Sequence, residues 1–180
     1  MELFLRDVYL ENLEKKDFRE ALDYLQMRAE KLGTGEALAR LMGEIFWMLL
    51  SKERLELTSS EEEICRGNLT ALRVRAEREN KGALFPALAG HLTQRWPWFF
   101  ADCRVDVNDP EVIFRHADRR AAKLFAKALL TDPRNPMAAA MAYPHNADGK
   151  RNLPSEVKAA LLDSLKGDSA IEYYLKNEIC

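Results

Sequence analysis

The sequence predicts an all-α fold: a single helical domain over residues 1–180, built from stacked antiparallel hairpins. Three observations carry that expectation. Apolar residues recur at three-and-four spacing along most of the chain. Capping and stop signals punctuate these stretches at helix-length intervals. One segment of the first half is restated 47 residues later. Strand evidence is confined to Trp98–Val107, WFFADCRVDV, and one isolated strand cannot make a sheet, so this stretch is read as an irregular connector.

Taken in order, Leu3, Leu5, Val8, Leu10 and Leu13 predict a first helix over about residues 2–14. Asp17 suits the N-cap of a second, whose face Phe18, Ala21, Leu22, Leu25 and Ala29 runs to Leu32 and stops at Gly33. Thr34 can cap a third, with Ala37, Leu38, Leu41, Ile45 and Met48 inside. Ser60 and Glu63 form a capping-box pattern that predicts a fourth over about residues 61–79. Pro86 fits the first turn of a fifth that ends before Pro97. Asp109-Pro110-Glu111 places a cap, a helix-starting proline and a first-turn acid in sequence, opening a helix to about Leu130. Asn135-Pro136 opens a short one, Leu153-Pro154 another that Gly167 terminates, and Asp168 caps a last helix to about Glu178. Tyr143–Asn152, rich in turn formers, is a loop. About seven to nine helices result.

The restatement has physical content. At an offset of 47, Leu22 aligns with Leu69, Leu25 with Leu72, Ala29 with Ala76, Gly35 with Gly82, Leu38 with Phe85, Leu41 with Leu88 and Gly43 with Gly90. Each unit reads as a helix, a tight glycine turn and a return helix, with Ala29/Ala76 and Gly43/Gly90 where two axes approach most closely. A third unit, Ala121–Ala142, has a turn of Asp-Pro-Arg-Asn-Pro and a return helix rich in alanine. Helix–Gly turn–helix units with Ala and Gly at the crossings resemble Sel1-like repeats, and ALLTDPRNPMAAAMA is similar to the closing half of a tetratricopeptide repeat. The resemblance covers residues 17–47, 66–96 and 117–142 and implies stacked helical hairpins. Phe46-Trp47 and Arg95-Trp96 stand where Sel1-like units carry tyrosine and glycine, and the spacing between units is stretched.

Composition places the chain among globular proteins, 47% hydrophobic and 31% charged with net charge −2. No apolar run approaches the ~18 residues of a membrane span, and the N-terminus lacks the pattern of a secretory signal. Three separated cysteines, Cys65, Cys103 and Cys180, fit a reducing compartment, so a cytoplasmic location is expected. Charge is uneven. Residues 1–66 hold 10 Lys and Arg against 15 Asp and Glu, whereas residues 67–151 hold 14 against 9. Either the fold neutralises itself or a charged face awaits a partner.

No catalytic signature, cofactor motif or metal spacing is present, so no enzyme, cofactor or metal is expected. His91, His116 and His145 have no ligand spacing to one another or to a cysteine, and read as surface or partly packed residues. Glu61-Glu62-Glu63 reads as a charged first helical turn. Gly33-Thr34-Gly35 is too short for a phosphate loop and lacks its lysine.

Two features remain as candidate partner-binding elements. Arg115, Arg119, Lys123 and Lys127 recur every four residues, a basic ridge bordered by His116 and Arg120. Phe114, Ala117, Ala121, Leu124, Phe125 and Ala128 occupy the opposite, core-facing arc. The ridge reads as a solvated face, as a dock for an acidic protein, or as a contact for a nucleic-acid backbone, the last disfavoured by the sequence pI of 6.0. Trp96-Pro-Trp98-Phe-Phe100 reads as an aromatic plug under the connector or as an exposed anchor, with Trp47 in a matching part. The expectation is a non-enzymatic protein-binding module of the immunity, adaptor or chaperone kind, with nucleic-acid binding through Arg115–Lys127 as the alternative.

Overall fold

In a computed structural model, residues 18–103, 109–143, 151–165 and 170–179 are described. They form α1 (Phe18–Leu32), α2 (Gly35–Leu50), α3 (Ser59–Arg78), α4 (Leu84–Arg95), α5 (Pro110–Thr131), α6 (Pro136–Met141), α7 (Ser155–Ser164) and α8 (Ala170–Ile179). Two 3-10 turns, Pro97–Phe99 and Ala101–Cys103, join α4 towards α5. No strand occurs among the described residues, and the fold class is all-α. The helix expected over residues 2–14, the Asp17 and Asp168 caps, the Gly167 stop and loop residues 144–150 lie outside the described residues.

Local signals set most helix starts. Thr34 Oγ1 accepts from the Ala37 amide at 3.2 Å, Asp109 Oδ1 from Glu111 at 2.9 Å, and Asn135 Oδ1 from Ala138 at 3.1 Å. Proline follows the cap at α5 and α6. The start of α3 corrects the sequence reading by one register of the same motif. The box forms between Thr58 and Glu61, not Ser60 and Glu63: the Glu61 carboxylate accepts from the Thr58 amide at 2.9 Å and Thr58 Oγ1 accepts from the Glu61 amide at 3.3 Å. Both tetrapeptides fit the box, and the upstream one adds two residues to the helix.

Helix α4 is the centre of the molecule. Every residue from Leu84 to Thr93 is buried, a stretch with no acidic, lysine or arginine side chain. It packs most extensively on α5 and also meets α2, α3 and α6. Gly90 permits the α4–α5 approach. A Cβ there would lie 2.5 Å from Phe125 Cε1 and 3.2 Å from Leu124 Cβ. Ala117, Ala121, Leu124, Phe125 and Ala128 are the buried face of α5.

The pairs aligned by the 47-residue offset share their burial: Leu22/Leu69, Leu25/Leu72, Ala29/Ala76, Leu38/Phe85 and Leu41/Leu88 are all core. Gly43 and Gly90 are also both buried. The turn glycines are not equivalent in the way the alignment suggests. Gly33 and Gly82 take positive φ, +60° and +90°, and make the turns. Gly35, the residue aligned with Gly82, serves close approach instead, since a Cβ on it would fall 1.5 Å from the Lys81 carbonyl oxygen.

Candidate interaction surface

The basic ridge of α5 divides into two groups. Lys127 Nζ donates to the backbone carbonyls of Ala76 at 2.9 Å, Glu77 at 2.9 Å and Glu79 at 2.7 Å. An ammonium has three protons, and the three oxygens accept all of them. These carbonyls belong to the end of α3, where the last four lack intrahelical partners, so Lys127 is a C-terminal cap supplied from another helix. This corrects the expectation that Lys127 is available to a partner. Arg115, Arg119 and Lys123 are exposed, and no described residue pairs with them.

Several arginines also turn inward. Arg73, almost fully buried, pairs with Asp102 and Glu77, and Arg120 pairs with the same Asp102 oxygen. The Arg151 guanidinium is buried beside Phe125. It donates to the carbonyls of Met141 at 3.0 Å and Tyr143 at 2.6 Å, the end of α6, and to Gln94 Oε1 at 2.9 Å. Burial pulls its pKa down to about 10, so it stays charged at neutral pH. Arg66, buried on α3, donates to the Trp98 carbonyl and lies 5.3 Å from the Phe99 ring centre. At the exposed end of α3, the hydrogen bond from Arg75 is the main cause holding the Glu79 carboxyl below its usual pKa. The ion pairs lie within residues 67–151 and the other contacts are to uncharged oxygens, so they bury cations without cancelling the excess against the acidic flanks; exposed Arg78, Lys81 and Arg134 share with the outer α5 cations the lack of a described ion pair.

The aromatic run also divides. Trp96, half-buried, stacks on Phe99 with centroids 5.5 Å apart, meets Phe46 edge to face at 6.0 Å, and donates from Nε1 to Tyr174 Oη at 2.6 Å. Phe99 and Phe100 are buried. This half is the plug, and α8 closes over it through Tyr174, whose hydroxyl also reaches His91 Nε2 at 3.4 Å. His91 is fully buried on α4, not at the surface or partly packed, because α4 is enclosed on every side. Trp96 is thus withdrawn from the role of anchor. Trp98 is 42% exposed and meets Phe114 edge to face at 5.9 Å. Phe114 is itself 42% exposed, a correction to its assignment to the core arc. It lies in the first turns of α5, where its described ring contact is Trp98 alone. Val112, two residues earlier and on the other side of the helix, is also exposed.

Two external features result, on different sides of α5: at 100° per residue Phe114 lies about 200° round the helix from Val112. Trp98, Phe114 and Val112 stand at the N-terminal end of α5, and Arg115, Arg119 and Lys123 continue along that helix. The indole's backbone is fixed from beneath by Arg66, and its flank by Trp96 at 5.4 Å. Sequence reading names Trp98 and the cations but misses Phe114 and Val112. The available signal is position: apolar residues in a first helical turn after a proline lie beyond the reach of the preceding helix.

Other candidates reduce to structure. Glu61 completes a cap, and Glu62 pairs with Lys52 at 3.2 Å and Arg66 at 3.7 Å. Cys65 is buried, and desolvation pushes its thiol up to about 12. Among the described residues no group of three or more His, Cys, Asp or Glu could hold a metal ion, and no helix is long and apolar enough to cross a membrane. No protein-family model, curated protein or solved structure matches the chain.

Proposed function

We propose that the chain is a non-enzymatic protein-binding module, an adaptor, chaperone or immunity-type protein acting in the cytoplasm, whose partner presents an acidic surface with an apolar recess. The observation that supports this reading is the exposed Trp98–Phe114 pair on a fixed backbone, with Arg115, Arg119 and Lys123, which pair with no described residue, along the same helix. Large aromatic side chains dominate interface energetics when they enter a recess, typically at about 2 kcal/mol or more for a hot spot. A backbone ordered before binding spares the entropy of ordering it afterwards. The neighbouring cations steer an acidic partner and fix its register.

The test is differential capture from the native cell. The wild-type chain and the Trp98→Ala/Phe114→Ala chain are used as baits, with captured proteins identified by mass spectrometry. A partner retained by the first and lost by the second is the expected result. Identical captured sets contradict the reading. A nucleic-acid reading rests on the same cations, with aromatic stacking of bases on Trp98. The commitment of Lys127 to α3 leaves it three phosphate contacts at the ridge, and its test is salt-sensitive retention of RNA on the wild-type chain.

A further inference from the structure

Resting on the protein-binding reading, we infer that the outer face of α5 seats one acidic amphipathic helix of the partner. At 100° per residue, Val112 and Leu130 fall at the same angle on α5, five turns and roughly 27 Å apart. Both are exposed, Leu130 by 87%. Between them, within about 60° of that line, lie the exposed Arg115, His116, Arg119, Lys123 and Ala126, with half-buried Lys127 at its edge. Ala122, also exposed, borders this band. The face therefore has apolar ends, a cationic ladder and small side chains in its second half.

Each property selects for the occupant. The cations repeat every four residues, roughly 6 Å along the axis, the same interval at which acids recur on a second helix at i, i+4 and i+8. Two such ladders stay in step over the whole length when the axes run nearly parallel. Side chains that end at Cβ, as at Ala122 and Ala126, let a second axis come within roughly 8 Å. An extended segment has no such fit. Its backbone N–H and C=O groups would face a helix, and no sheet edge exists among the described residues to satisfy them. A helix satisfies its own. A phosphate backbone would use the cations but not Leu130.

The test uses the full chain and defined probes. A fluorescein-labelled 21-residue alanine-based helical peptide carries glutamates at i, i+4 and i+8, a leucine one turn before the first and a leucine two turns after the last. Comparison probes are the same composition with a central proline, the lysine-for-glutamate peptide, and a 21-nucleotide RNA. Fluorescence anisotropy at low salt is expected to show binding of the acidic helix alone. Arg119→Glu and Ala122→Trp are each expected to weaken it by about tenfold or more, the second without changing charge. Circular dichroism establishes that both variants are folded. Equal binding of the proline-containing peptide, tighter binding of the RNA, or no binding of the acidic helix overturns the inference. If native capture still depends on Trp98 while the helical peptide fails to bind, the protein-binding reading stands and this inference falls.

Discussion

Trp98 and Phe114 meet edge to face with centroids 5.9 Å apart, and each remains 42% exposed. The sequence pattern places Phe114 and Phe125 on one arc of α5, yet Phe125 is packed against Gly90 and the guanidinium of Arg151. Phe125→Ala is expected to cost about 3–5 kcal/mol in urea denaturation, the range for a buried phenylalanine. Phe114→Ala should cost about 1 kcal/mol or less, the worth of an exposed aromatic pair. Equal losses would mean that Phe114 is core.

Glycine gives a matched pair of opposite sign. A Cβ at Gly90 meets the Phe125 ring at 2.5 Å, whereas a Cβ at Gly67, in the exposed middle of α3, meets nothing within 4 Å. Gly90→Ala should destabilise by about 1–3 kcal/mol through overpacking. Gly67→Ala should stabilise by about 0.5–1 kcal/mol through backbone entropy. Thermal unfolding of the two variants reads both signs.

Tyr174 ties α8 to the core through its hydroxyl, which accepts from Trp96 Nε1 at 2.6 Å and lies 3.4 Å from His91 Nε2. Tyr174→Phe keeps the ring contact with Phe46 and removes the oxygen. A loss of about 1–3 kcal/mol is expected, since buried polar groups of Trp96 and His91 lose that partner. A stability unchanged within about 0.3 kcal/mol would show that water replaces the hydroxyl without cost.

The Cys65 thiol, raised to about 12 by burial first and by Glu61 next, is expected to resist thiol reagents in the folded chain. In a Cys103→Ser/Cys180→Ser background at pH 8, the native protein should show no reaction over an hour and one reactive thiol in denaturant. Rapid reaction in the native state contradicts this. The sign of the linked pH effect follows. Between the ordinary value of 9.0 and about 12 the unfolded chain loses this proton and the folded chain keeps it, so stability falls as pH rises through that window.

What the sequence makes legible is what is local. Thr34, Asp109-Pro110 and Asn135-Pro136 act within three residues of themselves, so each helix start they announce is found in place. The buried pairs of the 47-residue offset are legible for a similar reason, because helix periodicity fixes which residues share a face. The α3 start is ambiguous because two overlapping boxes compete over two residues. Lys127 is illegible because its acceptors lie 48 to 51 residues away, on a carbonyl set that exists only once α3 ends there. Arg151 is of the same kind, reaching α6 and α4 together. His91 was within reach: ten consecutive residues with no acid, lysine or arginine mark a helix buried on all sides, and any histidine inside it is buried too. The division of the candidate surface thus turns on distant backbone groups, which periodicity does not encode.

Two lysines of α5, four residues apart, differ in kind: Lys127 holds the end of α3, and Lys123 is exposed with no described partner. Urea denaturation of Lys127→Met beside Lys123→Met tests this difference most directly, since both change one charge on one helix in the same way. A loss of about 1–3 kcal/mol is expected at Lys127, where three carbonyls lose their donor, and a change within about 0.5 kcal/mol at Lys123. Equal effects at the two positions would contradict it.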